Sequence, residues 1–236
     1  AEGDVYVADF AAGGFFVNHS RNAGQRFFVP TGNDATGLPF GPGPKSLPGG
    51  LSKNEFRTFP VRAVAADPVR PGHVYVAEPL PVHDGLGNRL DAADIFFARS
   101  TDYGRTWQTT ILGAADEAAI VTDDNRGREA TGSGDDVAAD QFMVRLDVNA
   151  QGDIGLVWYD TRRDPNNHNL DVFGAVSTDG GQSFSPNFRI TDQSFDADRG
   201  TFVDAIGREN SFLGDGLGLA MAPDAAYVAW TDTRAG

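Results

Sequence analysis

Ser177-Thr178-Asp179-Gly180-Gly181-Gln182-Ser183-Phe184 is a stretch that the chain uses more than once. Ser100-Thr101-Asp102-Tyr103-Gly104-Arg105-Thr106-Trp107 has the same form, Ser-x-Asp-x-Gly-x-(Ser/Thr)-aromatic. A weaker copy, Ser20-Arg21-Asn22-Ala23-Gly24-Gln25-Arg26-Phe27, keeps the Ser, the Gly and the aromatic and carries Asn in place of Asp. Such an octapeptide predicts a hairpin turn. The Asp or Asn side chain bonds back to backbone N–H groups, and Gly supplies the positive φ that closes the turn. The aromatic residue then returns to the core as the next strand begins.

The three copies resemble the Asp box, or BNR repeat, of sialidase-like β-propellers found among secreted bacterial proteins. The resemblance implies a structural role for Ser20, Asn22, Gly24 and Phe27, for Ser100, Asp102, Gly104 and Trp107, and for Ser177, Asp179, Gly181 and Phe184. In that family the turns point away from the propeller's central face, so they speak for architecture and not for chemistry.

Working outward from the boxes, the strand pattern repeats. Val61 to Ala66, His73 to Glu78 and Asp94 to Arg99 lead into the second box, and Trp107 to Ile111 leaves it. Phe142 to Val148, Asp153 to Tyr159 and Asp171 to Val176 lead into the third, and Phe184 to Ile190 leaves it. Four antiparallel strands with tight turns make one propeller blade. The expected fold is therefore all-β, an Asp-box propeller of about three and a half four-stranded blades with long inter-strand loops. The blades fall at 1–29 (partial), 60–112, 141–191 and 216–236 (partial). Box starts at 20, 100 and 177 give spacings of 80 and 77 residues, more than a blade needs. Long loops, such as the Gly- and Pro-rich stretch from Pro30 to Phe59, take up the excess. The first unit lacks its inner strand and the last its outer two. Propellers close with about four to eight blades, so the chain reads as a segment of a longer propeller, or as one completed by strand addition from another chain.

Composition narrows the partners. A net charge of −14 argues against nucleic acid, whose phosphates call for Lys and Arg, and Lys45 and Lys53 are the only lysines. No cysteine is present, which excludes a disulfide scaffold and a thiolate metal site. No apolar run approaches the roughly 20 residues of a membrane span. The first residues, Ala1-Glu2-Gly3-Asp4, carry no signal-peptide pattern, so a secreted protein would already have lost its leader. These features suit an extracellular or cell-surface bacterial protein with protein chains, or glycans, as partners. Asn18-His19-Ser20 is a glycosylation sequon by pattern.

For chemistry, Trp158-Tyr159-Asp160-Thr161-Arg162-Arg163-Asp164 and Trp230-Thr231-Asp232-Thr233-Arg234 sit just past the second strand of successive units. Resemblance to sialidases implies an arginine clamp on a carboxylate, a Tyr nucleophile activated by Glu, and an Asp acid/base. Tyr159, Asp160, Arg162 and Arg163 are the local candidates for these catalytic parts. The family's Phe/Tyr-Arg-Ile-Pro signature is absent, and Phe56-Arg57-Thr58-Phe59-Pro60 is one residue too long. The recurrence of the pattern supports a second reading, a structural turn with Trp158 in the core and Asp160 paired with Arg162, because a single active site is not copied in each blade. Asp123, Asp124, Asp135, Asp136 and Asp140, with Glu129, form an acidic stretch that suits Ca²⁺ by ligand type but lacks EF-hand spacing. The same choice, cation site or solvated loop, applies to Asp192, Asp196, Asp198 and Asp204. His19, His73, His83 and His168 show no paired spacing of a histidine metal site. Phe15, Phe16, Phe96, Phe97 and Phe142 read as inter-blade core. The expected function is a non-catalytic binding or assembly module; the alternative is an exo-α-sialidase-type hydrolase whose remaining catalytic residues lie outside these 236.

Overall fold

A computed structural model describes residues 3–11, 14–27, 61–83, 89–109, 120–121, 139–203, 205–207, 209–211, 213–214 and 216–234. Among these the regular structure is β-strand, apart from one 3-10 turn at Ala197–Arg199. The strands are β1 (Val5–Ala11), β2 (Gly14–Ser20), β3 (Ala63–Ala66), β4 (Val74–His83), β5 (Arg89–Ser100) and β6 (Gln141–Val148). There follow β7 (Ile154–Asp160), β8 (Asp171–Ser177), β9 (Phe188–Arg189), β10 (Thr201–Val203), β11 (Glu209–Ser211), β12 (Leu217–Met221) and β13 (Ala226–Trp230). They form a four-stranded sheet β6-β7-β8-β9, a three-stranded sheet β3-β4-β5, and the hairpins β1-β2, β10-β11 and β12-β13, each antiparallel in chain order.

Alternation along β7 explains how the sheets pack. Ile154, Leu156 and Trp158 point to one face, where they meet Tyr75, Ala77, Ile95 and Phe97 of the three-stranded sheet. Val157 and Tyr159 point to the other, where Leu217, Leu219, Val228 and Trp230 of the last hairpin join them. The three-stranded sheet uses its remaining face in the same way: Val74, Val76 and Ala98 pack on Val17, Tyr6 and Ala8 of the first hairpin. A period of two thus gives each central sheet two apolar faces, and each face finds another sheet. The result is a stack of four of the five sheets: β1-β2, β3-β4-β5, β6-β7-β8-β9 and β12-β13. Burial of these side chains, at about 25 cal/mol per Å² of apolar surface, is the main force holding the stack.

Local irregularities have sequence causes. Two residues of β6, Phe142 and Met143, share one core cluster because a bulge separates the pairs Phe142↔Tyr159 and Arg145↔Val157, with Met143 at φ +55°. The hairpin β4-β5 runs to His83↔Arg89, well past Glu78, where the sequence pattern ends the strand. Pro79 sits where β3 has already ended, and Pro81 falls in a bulge between Leu80 and Val82, so neither missing N–H costs a ladder bond. The fourth strand expected after the third turn is shorter than its sequence suggests, with only Phe188 and Arg189 pairing. Beyond the second turn Gln108 bridges to Arg99, while Thr110 and Ile111 lie outside the described residues. Of the expected core phenylalanines, Phe97 and Phe142 are buried, while Phe16 and Phe96 are half-buried. Phe96 must face away from Phe97, because neighbours on a strand point to opposite faces.

Candidate functional site

Each of the three octapeptides folds into the same turn. In the third, the Ser177 hydroxyl donates to Asp179 Oδ1 (2.8 Å) and accepts from Gly181 N–H (2.9 Å). Asp179 also accepts from the N–H groups of Gln182 (2.9 Å) and Ser183 (3.0 Å) and from the Ser183 hydroxyl (2.6 Å). Ser100 and Asp102 repeat this on Gly104, Arg105 and Thr106; Ser20 and Asn22 repeat part of it on Gly24 and Arg26. Burial works to raise the Asp179 pKa, but the Ser183, Ser177 and Gln182 donors outweigh it and bring it down to about 2. Two successive residues take positive φ in every copy: Ala23 and Gly24, Tyr103 and Gly104, Gly180 and Gly181. The aromatic closes each full turn on apolar side chains. Trp107 packs with Val17, Val74 and Val76, and Phe184 stands edge-on to Phe97 at 4.9 Å.

Because adjacent strands are antiparallel, the two full turns share one end of their sheets with the β3–β4 and β6–β7 connections. Cross-sheet bonds confirm that these ends are level: Arg70 Nη1 donates to the Gly152 carbonyl (3.2 Å) and Arg99 Nη1 to that of Gly180 (3.3 Å). Asp67 anchors Arg70 there, accepting from its guanidinium (2.8 Å) and from the Tyr75 hydroxyl (2.7 Å).

The opposite end of the four-stranded sheet carries the other sequence candidates. Trp158 Nε1 donates to Asp160 Oδ2 (2.9 Å), which also accepts from Arg162 Nε (2.8 Å), while Arg162 N–H donates to Asp160 Oδ1 (2.8 Å). Arg162 lies over the Phe173 ring at 4.5 Å, and Arg163 is exposed in the following turn. The pattern recurs at Arg234, whose N–H and Nε both bond Asp232. Tyr159 is buried with its hydroxyl between backbone groups of the last hairpin: it donates to the Gly216 carbonyl (3.1 Å) and accepts from Thr231 N–H (3.0 Å). Burial pushes its phenol pKa upward.

Asp140 is buried at the same end. Its Oδ2 accepts from Asn167 Nδ2 (3.0 Å), and its N–H donates to Thr161 Oγ1 (2.8 Å), so it fixes the β7–β8 loop. Asn167 takes φ +54°, which Asn tolerates, and contacts Thr161 directly. Asp123, Asp124, Asp135, Asp136 and Asp204 lie outside the described residues, as do Phe56 to Pro60. Asp192 is exposed and pairs with Arg234 (2.6 Å).

Asp196 and Asp198, two of the sequence's cation candidates, are joined here by a histidine that the sequence pattern does not link to them. His168 Nε2 lies 2.9 Å from Asp198 Oδ2 and 3.8 Å from Asp196 Oδ1. The residues are 28 and 30 positions apart and meet because Leu170 and Phe195 exchange backbone bonds of 2.8 and 3.0 Å. Asp164 shapes the loop before His168 by accepting from the N–H groups of Asn166 and Asn169.

No family model matches the chain, and no curated protein matches it either. Several solved structures are similar in shape. A protein of unknown function from Dyadobacter fermentans has 11% identity over 95% of this chain and 47% of its own, with a TM-score of 0.46. The GH93 α-L-arabinofuranosidase of Fusarium graminearum with arabinobiose has 12% identity over 82% and 47%, TM-score 0.45. A PL25 polysaccharide lyase, an ulvan lyase, has 11% identity over 81% and 42%, TM-score 0.46. The chain spans less than half the length of each of these. At such identity none of them assigns an activity to it. Among the described residues, no helix is long and apolar enough to cross a membrane.

Proposed function

We propose that this chain is part of a secreted Asp-box β-propeller and serves as a binding or assembly module without hydrolytic chemistry of its own. One observation carries this reading: the Tyr159 hydroxyl is committed to backbone groups of the neighbouring hairpin. A tyrosine nucleophile needs a carboxylate to draw off its proton and free space on its oxygen for a reacting carbon. Here a carbonyl and an amide fill those directions, and burial favours the neutral phenol. Asp160, the second candidate, is buried and held by Trp158 and Arg162.

Assembly is the part of the proposal that the sheet stack supports. The last hairpin packs one face on its neighbour and leaves Ala220, Tyr227 and Ala229 exposed on the other, Tyr227 at 67%. A further sheet, from the continuation of the chain or from a partner chain, would bury that face as the inner ones are buried. Glycans are the proposed soluble ligands of the end that carries Arg162 and Arg163. The test is to incubate the purified chain with a fluorogenic sialoside while screening it on a glycan array and following its mass by sedimentation velocity. The expected result is no turnover, with glycan retention or concentration-dependent association. Turnover that disappears in Tyr159→Phe would overturn the proposal, as would a strictly monomeric chain that retains no glycan.

A further inference from the structure

We propose that His168, Asp196 and Asp198 form a binding site for a divalent transition cation, zinc above all, that staples the β7–β8 loop to the segment leading into the last hairpin. The three donor atoms lie within 4.8 Å of one another. Donors around a tetrahedral ion with bonds of about 2.0–2.1 Å stand about 3.3 Å apart, and the two measured spacings from His168 Nε2, 2.9 and 3.8 Å, bracket that value. Bringing those two spacings to the tetrahedral value takes shifts of about half an ångström, in which the His168–Asp198 hydrogen bond gives way to two bonds to metal.

The donor set decides the class of ion. One imidazole nitrogen with two carboxylates suits zinc or manganese, whereas Ca²⁺ wants six to eight oxygens. Three protein ligands leave a fourth position open. The side chains are 31%, 32% and 18% exposed, so that position faces water.

The scaffold beneath the cluster is rigid. Leu170, Phe195 and Ala197, interleaved with the donors, are all buried, and the Leu170–Phe195 bridge joins the two segments. Asp196 Oδ1 accepts from Asp198 N–H (3.0 Å), which orients the Asp196 carboxylate against the backbone that carries Asp198. The Asp196 carbonyl accepts from Thr233 Oγ1 (2.5 Å), which carries the connection to the end of β13. An ion here would hold together a loop of the four-stranded sheet, the segment after β9 and the last hairpin.

The experiment is titration of zinc chloride into chelator-treated protein, by calorimetry and thermal melting, for the wild-type chain, His168→Ala and Asp198→Asn. The wild type should take up one ion at this site and gain about 5 °C or more in Tm under saturating zinc. Each variant should bind at least tenfold more weakly. Asp198→Asn keeps an acceptor for His168 and removes a charge, so a variant with an unchanged metal-free melt and lost zinc binding reports on the site and not on folding. Absence of stoichiometric uptake, equal uptake in both variants, or calcium binding as tightly as zinc would each overturn the proposal.

Discussion

The three turns offer an internal experiment: one substitution, Gly→Ala, made at Gly24, Gly104 and Gly181. Their φ angles are +82°, +80° and +78°, so the backbone strain of a Cβ is the same in each. In the left-handed region that strain is about 1–2 kcal/mol. The surroundings differ. Around Gly24 nothing lies within 4 Å of the new methyl, and at Gly104 it would meet Trp107 Cζ2 at 3.5 Å and Val17 Cγ1 at 3.9 Å, ordinary contact. At Gly181 it would fall 2.6 and 2.7 Å from Cε1 and Cζ of Phe97. That ring is 1% exposed and lies between Tyr75 (5.9 Å) and Phe184 (4.9 Å), so it cannot swing aside without moving two other aromatics. Overpacking of this kind adds about 1–3 kcal/mol. The expected losses are therefore about 1–2 kcal/mol for Gly24→Ala and Gly104→Ala, and about 2–5 kcal/mol for Gly181→Ala. Urea unfolding followed by far-UV circular dichroism and tryptophan fluorescence measures them, and agreement of the two probes checks that the sheets unfold together. Equal losses at all three positions would refute the claim that Phe97 packing, rather than φ, distinguishes the third turn.

Other perturbations test separate contacts. The Asp179 pKa, lowered to about 2 from its ordinary 3.8, means a contribution that is complete above about pH 4 and lost as pH falls through about 2. At about 1.4 kcal/mol per unit, Asp179→Asn should cost up to about 2 kcal/mol at pH 6, and the gap from wild type should narrow in urea melts below pH 4. A gap independent of pH would remove the charge from the explanation. Tyr159→Phe removes the hydroxyl's bonds to the Gly216 carbonyl and the Thr231 N–H, which still bond each other at 3.0 Å; a loss of about 1 kcal/mol is expected, with amide exchange in β12 and β13 accelerating before that in β7. Arg70→Ala leaves the buried Asp67 carboxylate with Tyr75 and two N–H groups but no cation, and also frees the Gly152 carbonyl. A loss of about 2–3 kcal/mol in urea unfolding is expected, and Asp67→Asn in the same background should recover part of it.

What the sequence made legible is what depends on near neighbours. The turns could be read because Ser177, Asp179, Gly181 and Phe184 interact within eight positions, and β7 because alternation assigns Trp158 and Tyr159 to opposite faces. Strand lengths were less legible, since they depend on the partner. Prolines at 79 and 81 look like a loop until β3 is seen to stop at a position that leaves Pro79 unpaired on that side. After the third turn, Ser185 joins Val176 through both its N–H (2.8 Å) and its hydroxyl (3.1 Å), so a side chain stands in for ladder pairing just before Pro186. The β10–β11 hairpin has only three residues on each strand, too few for an alternation to show, and gave no signal.

The cluster at His168 was hidden for a stronger reason. Its spacing of 28 and 30 residues has no meaning until Leu170 and Phe195 pair, and a search for His-x-x-x-His passes over a histidine whose companions are aspartates. One signal was within reach: Asp196 and Asp198 flank Ala197, and alternate residues around a buried one share a side. Reading Asp-x-Asp with a buried centre as a paired donor would have asked which loop faces it. The same logic separates the two ends of the four-stranded sheet. At the end with the Ser-x-Asp turns, local bonds repeat from sheet to sheet and specify shape. At the other, Asp140, His168, Asp171 and Asp196 each take partners from other segments of the chain, while Asp160 holds Trp158 and Arg162 beside it. Side chains from separate parts of the chain meet at that end, so it is where several donors can converge on one ligand or cation.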